Sequence, residues 1–171
     1  GCPKDVPTAI ANRATAMHNE GKEFKIGMYT GASTGDSLDG ALARANAVLF
    51  RTPYQSNSDM RNALNREDVA YFDLHLSVLA QSLRYGFVPK PKFAILEVCD
   101  ITKEGELVLT AGVGISPTIA HLADHIIVEW NHYHPKELRG FHDLYEPLDP
   151  PFRREIPVYK PDDRIGSTVL K

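Results

Sequence analysis

The chain has 171 residues, 43% of them hydrophobic, enough for one domain with a real core. Its 19 basic and 22 acidic residues leave a net charge of -3, which excludes the basic excess of a nucleic-acid binder, and no run of Lys or Arg reads as a membrane-surface patch. The longest apolar runs are strand-sized, far short of a membrane span, and Cys2 and Cys99 make no disulfide framework, so a reduced cytoplasmic setting without a membrane partner is expected.

In chain order, Asp5 is expected to cap a helix with Pro7 in its first turn, an apolar face of Val6, Ile10, Ala14 and Met17, and a stop at Gly21. Alternation at Phe24, Ile26 and Met28 predicts a core strand leading into the turn Gly31-Ala32-Ser33-Thr34-Gly35. Asp36 and Ser37 then open a helical pattern at Leu38, Ala41, Leu42 and Ala45. A strand-to-helix turn leaves first-turn N–H groups unpaired, which suits an anion or oxyanion.

A second strand is expected at residues 47–50, broken by Arg51-Thr52-Pro53, then a short helix capped by Asn57 or Ser58 and a short strand at 69–72. Leu76, Leu79, Ala80 and Leu83 form the clearest helical stripe, ended by Gly86. The unbroken run Phe93 to Cys99 predicts a strand buried on both faces, followed by strands at 107–109 and 125–130 with a helix between them, capped by Ser116 with Pro117 first inside. Strands alternating with helices predict an α/β fold, a doubly wound, mostly parallel sheet with helices on both faces. Six of the twelve prolines lie between Pro135 and Pro161, so residues 131–171 read as an extended, Pro-rich wrap with one strand at 156–159.

Three motifs carry candidate chemistry. Gly31-Ala32-Ser33-Thr34-Gly35 matches the G-x-S-x-G nucleophile elbow, and Glu129 and His142 complete the order Ser, acid, His. The elbow normally follows several strands, however, and only 30 residues precede this turn, so Ser33 as nucleophile is the weaker reading. The same turn is like a dinucleotide glycine turn, but Ser37 stands in place of its last glycine. His121, His125, His132, His134 and His142 invite a metal hypothesis, yet His121 and His125 straddle a helix-to-strand boundary, where a spacing of four does not put them on one face. Glu97 and Glu129 sit in apolar strands, where an unpaired carboxylate is costly, so each is expected to reach a partner.

The blocks GCPKDVPTAIA, YTGASTGDSLDGALARANAVLFRTPYQSNSDMRNALN, VAYFDLHL, VGISPTIAHLADHIIVEWN, GFHDLY and DDRIGSTVL follow one another in an order that resembles the amino-terminal half of the acetyl-CoA hydrolase/transferase family, the group containing succinyl-CoA:acetate and 4-hydroxybutyrate CoA-transferases. The resemblance implies a two-domain α/β enzyme that passes CoA between carboxylic acids through a glutamyl-CoA thioester. Ser33 would line the acyl pocket as a hydrogen-bond donor rather than a nucleophile, with Gly31, Ala32 and Thr34 as substrate-binding neighbours.

It also implies coenzyme A as substrate, no metal or redox cofactor, acyl-CoA and small carboxylates as partners, a carboxy-terminal domain of the same enzyme, and a homo-oligomer. Nothing in the chain matches the family's glutamate-bearing motif, and the SGF-type loop expected before Gly1 is missing. With its abrupt start, the chain therefore reads as an excerpt without its catalytic partner domain, inactive alone. A serine hydrolase and a non-catalytic acyl-CoA-binding or carboxylate-binding module are the alternatives.

Overall fold

A computed structural model describes residues 2–33 and 35–171. The chain divides into two compact units, Cys2–Ser82 and Leu83–Lys171. It is α/β with mostly parallel strands, consistent with the doubly wound reading, and the strands fall into two three-stranded sheets.

The first unit opens with α1 (Asp5–Asn19). Its cap is Lys4, one residue earlier than expected, because both the N–H and the hydroxyl of Thr8 return to the Lys4 carbonyl. The helix buries Pro7, Ala11 and Ala14, with Ile10 partly covered, so the apolar face is rotated from the predicted stripe toward the small residues that let α1 sit close to its neighbours. Gly21, at φ 72°, takes the left-handed conformation that ends the helix.

Then β1 (Ile26–Ser33), β2 (Val48–Gln55) and β3 (Ala70–Tyr71) form a parallel sheet in the order β1-β2-β3. The crossovers carry α2 (Ala41–Arg44) and α3 (Ser58–Asn65). Phe24, Ile26 and Met28, the predicted alternating set, pack on one apolar cluster with Ala11, Ala14, Leu42, Val48, Met60 and Val69.

Two expectations fail here for identifiable reasons. Strand β2 does not stop at Arg51-Thr52-Pro53 but runs on to Gln55. Pro53 falls where the β1–β2 register shifts, between Tyr29↔Thr52 and Ala32↔Tyr54, and beyond the two residues at which β3 pairs, so no regular ladder bond is asked of it. The helix after β1 begins as a five-residue π-helical turn, Asp36–Gly40, before α2. The wider turn lets Asp39 point inward, where its side chain is fully buried.

α4 (Leu76–Arg84) runs across the boundary in sequence. The second unit holds β4 (Phe93–Ile101), β5 (Leu107–Leu109), α5 (Ser116–Leu122) and β6 (His125–Trp130), in sheet order β5-β4-β6, with β4 and β6 parallel and β5 antiparallel. Ser116 is the first residue of α5 rather than its cap, a position held by Ile115. Ala94, Leu96, Val98, Leu109 and Leu170 form this unit's main core.

After a 3-10 turn at Lys136–Leu138, the tail is held by two isolated bridges, Leu144↔Ser167 and Leu107↔Leu170. The strand expected at 156–159 does not form. Its donors turn inward locally: Val158 N–H donates to the Ile156 carbonyl, and the N–H groups of Tyr159 and Lys160 both donate to Asp163 Oδ2 at 2.8 and 2.9 Å.

Candidate functional site

The end of β1 delivers Ser33 to a polar centre that the first unit buries completely. Ser33 retains 1% of its exposure and Asp39 and Arg51 none. Asp39 comes from the π-helical turn and Arg51 from the middle of β2, so three elements meet at one hydroxyl. The Ser33 hydroxyl donates to Asp39 Oδ2, and Arg51 Nη2 donates to Ser33 Oγ. Arg51 also donates from Nε to Asp39 Oδ1 at 3.2 Å, and from Nη2 to Asp39 Oδ2 at 3.4 Å and to the Tyr54 carbonyl at 3.1 Å. Arg51 Nη1, Thr52 Oγ1 and Gln55 Oε1 are buried polar atoms without a hydrogen-bond partner among the described residues.

A second, exposed set of charges braces the turn from outside. Arg44 makes a bidentate pair with Asp36 at 2.9 and 3.0 Å and reaches Asp59 Oδ2 at 2.5 Å. The hydrogen bond from Arg44 holds the Asp36 carboxyl below its usual range. Asn57 caps α3 by accepting from Asp59 N–H and Met60 N–H, as expected, and its amide donates to Asp36 Oδ1 at 3.3 Å. The cap of one helix and the start of the preceding one thus share a side chain.

Of the predicted site residues, Gly31 and Ala32 lie on β1 beside Ser33, Ala32 opposite Tyr54 and Ser33 opposite Gln55 in the register. Thr34 lies outside the described residues. Two of the N–H groups assigned to anion binding are already engaged: Leu38 and Asp39 both donate to the Gly35 carbonyl, at 3.3 and 3.1 Å. In this arrangement Ser33 has a carboxylate for its proton and a guanidinium against its oxygen. A guanidinium is a donor with no acceptor, so it polarises the hydroxyl and cannot take its proton.

The remaining candidates are occupied in the second unit. Glu97 is buried and accepts from Thr110 Oγ1 at 3.0 Å and Asn131 Nδ2 at 2.8 Å, so it has the partners expected of it. Glu129 stands beside it in the β4–β6 register. His142 Nε2 is bonded to the Leu109 carbonyl at 2.9 Å. His121 pairs with Glu146 at 3.1 Å, His125 stacks on Phe93 and His132 on Trp130. Among the described residues no three His, Cys, Asp or Glu are grouped to hold a metal ion, and no helix is long and apolar enough to cross a membrane.

Sequence reasoning missed Asp39 and Arg51. The signal was present in Val48-Leu49-Phe50-Arg51, where a cation ends an apolar run just as Glu97 interrupts one. It also missed the second unit's polar network. There Arg84 clamps Asp149 bidentately at 2.6 and 2.7 Å and donates to Thr118, whose hydroxyl donates to Glu146 at 2.7 Å.

The family model for the acetyl-CoA hydrolase/transferase N-terminal domain matches residues 1–163. The chain is 42% identical over 170 residues to the succinyl-CoA:acetate CoA-transferase of Clostridium kluyveri, covering 99% of this chain and 31% of that protein. It is 38% identical over 171 residues to the propanoyl-CoA:succinate CoA transferase of Escherichia coli, covering 100% of this chain and 35% of that protein. To the acetyl-CoA hydrolase of Yarrowia lipolytica it is 34% identical over 177 residues, 99% of this chain and 34% of that protein. The chain spans about a third of the length of these relatives.

Proposed function

This chain belongs to the acetyl-CoA hydrolase/transferase family, and from that premise we propose that it is the amino-terminal part of an enzyme that moves CoA from acetyl-CoA to a small carboxylate such as succinate. The observation that carries this reading is the 42% identity to a succinyl-CoA:acetate CoA-transferase along 99% of the chain. Coenzyme A enters as part of the substrate.

In the proposed reaction a glutamate from outside this chain attacks the acetyl carbonyl and displaces CoA thiolate, leaving a mixed anhydride. The thiolate then attacks the glutamyl carbonyl, releases acetate and leaves the glutamyl-CoA thioester. An incoming carboxylate repeats the steps in reverse and leaves as its CoA ester, whereas water in its place gives hydrolysis. Each attack on a carbonyl places negative charge on an oxygen, and fixed donors lower the barrier to that charge.

Ser33 serves as one such donor in the acyl pocket, with Gly31, Ala32 and Thr34 alongside. Support for a donor role is the polarising bond from Arg51 Nη2 into Ser33 Oγ. The test is turnover of acetyl-CoA by the complete polypeptide with and without succinate, followed as succinyl-CoA formed. Ser33→Ala is expected to lower kcat on the order of 100-fold with little change in KM for acetyl-CoA. An unchanged kcat would remove Ser33 from the mechanism, and turnover equal with and without succinate would favour hydrolysis.

A further inference from the structure

A serine hydroxyl has one proton to give and two lone pairs to receive with. At Ser33 the proton is directed at Asp39 Oδ2 and one lone pair accepts from Arg51 Nη2. As it stands, the oxygen has only a lone pair left to offer, so donation to a substrate oxygen requires the O–H to rotate away from Asp39.

As Ser33 is 1% exposed, its contact with a substrate oxygen needs that cover to open as well, and two features limit the cost of the rotation itself. Asp39 keeps a partner without Ser33, since Arg51 donates to its Oδ1 from Nε at 3.2 Å. The Ser33 oxygen also need not move, because the Nη2 that binds it is itself tied to the Tyr54 carbonyl at 3.1 Å. A hydroxyl whose oxygen accepts from a cation is, by hydrogen-bond cooperativity, a stronger donor through its own proton.

Resting on the reading of Ser33 given above, we propose that Asp39 and Arg51 are positioning residues for acyl transfer. Asp39 holds the hydroxyl proton while no oxyanion is present, and Arg51 fixes and polarises the oxygen. The charge that develops on the substrate oxygen draws the proton out of the Asp39 bond and releases it again as the tetrahedral species collapses. No proton leaves Ser33 in the cycle.

The test is a double-mutant cycle on kcat, KM and the thermal midpoint in the complete polypeptide. Replacing one member of the pair leaves a lone charge buried, so the pair is neutralised together as Asp39→Asn with Arg51→Gln, in the parent and in the Ser33→Ala background. Acting through Ser33, the neutral pair lowers kcat at least 10-fold with KM unchanged in the parent, and lowers it no further once Ser33 is alanine.

If the neutral pair shifts only the thermal midpoint and leaves kcat intact, the inference fails while the role of Ser33 stands. If the two losses multiply, the pair acts elsewhere and the inference fails again. If Ser33→Ala leaves kcat unchanged, the reading of Ser33 falls and takes the inference with it. Should the neutral pair not fold, Asp39→Glu keeps the charge and lengthens the arm. The same fall in kcat at constant KM, absent in the Ser33→Ala background, is then required, and an unchanged kcat overturns the proposal.

Discussion

Gly27 sits on β1 directly opposite Phe50 of β2, and a Cβ built on it would lie 2.1, 2.5 and 2.9 Å from three atoms of that ring. Non-bonded carbons rest at about 3.5–4.0 Å, so in Gly27→Ala the ring must retreat by more than roughly 1 Å. It has a neighbour to displace, the Tyr29 ring, whose centroid is 5.1 Å away at an interplanar angle of 59°. Forcing a methyl into such a contact costs about 1–3 kcal/mol. Replacing a strand glycine returns about 0.5–1 kcal/mol through the unfolded chain's lost freedom.

With the nearest contact at 2.1 Å the cost lies in the upper part of that range, about 2–3 kcal/mol, so the net expectation is a loss of about 1–2.5 kcal/mol, or roughly 2–10 °C in thermal midpoint for a chain of this size. The assay is urea unfolding followed by far-UV circular dichroism, on the parent, Gly27→Ala, Phe50→Leu and the double variant. If the clash is the cause, Phe50→Leu costs less in the alanine background than in the parent, with a coupling of at least ~0.5 kcal/mol. A Gly27→Ala variant as stable as the parent, or additive losses, would refute the reasoning.

Further outcomes follow from the second unit. Arg84, through its hydrogen bonds, holds the Asp149 carboxyl below its ordinary value of 3.8, and a depressed acid stabilises the fold above its unfolded pKa. Asp149→Asn should therefore cost about 1.5 kcal/mol at neutral pH. The gap to the parent should narrow as pH falls below 3.8 and close once Asp149 is protonated in the folded state, as acid titration of stability would register. Gly166 has the Leu144 carbonyl oxygen 2.2 Å from where a Cβ would stand, and the bridge Leu144↔Ser167 is beside it. Gly166→Ala is thus expected to open that bridge, read as faster amide exchange at Leu144 and Ser167. Burial pushes the Cys99 thiol up, so alkylation at pH 8 should modify Cys2 first and reach Cys99 only on unfolding, by mass mapping.

The elements legible in the sequence are those whose pattern is local. Strand β6 begins and ends where the run His125 to Trp130 does, and β5 matches Leu107 to Leu109, because apolar runs between turn residues need no tertiary information. Ser33 was legible as a polar residue of the turn after a strand, although β1 runs on to include it. Its partners were not, because Asp39 and Arg51 are 6 and 18 residues away, the first carrying no local signal of its own and the second reading as part of a strand break. The π-helical turn escaped for the same reason. Its width follows from where Asp39 must reach, which no periodicity records. Pro53 argued against a strand by a sound rule whose exception, a register shift in the partner strand, is visible only once β1 and β2 are paired.

The two-ended clasp of the tail bears on how the molecule is made. Leu170 is both a core residue of the second unit and the bridge partner of Leu107, so the β4–β5 hairpin lacks one wall until residues near the end of this stretch are synthesised. At roughly 5–20 residues per second, that leaves the hairpin waiting for several seconds behind the ribosome, with Leu109 and Leu107 uncovered. Chaperone engagement in that interval, and sensitivity of yield to the rate of elongation between codons 107 and 170, are the marks such a delay would leave in a cell.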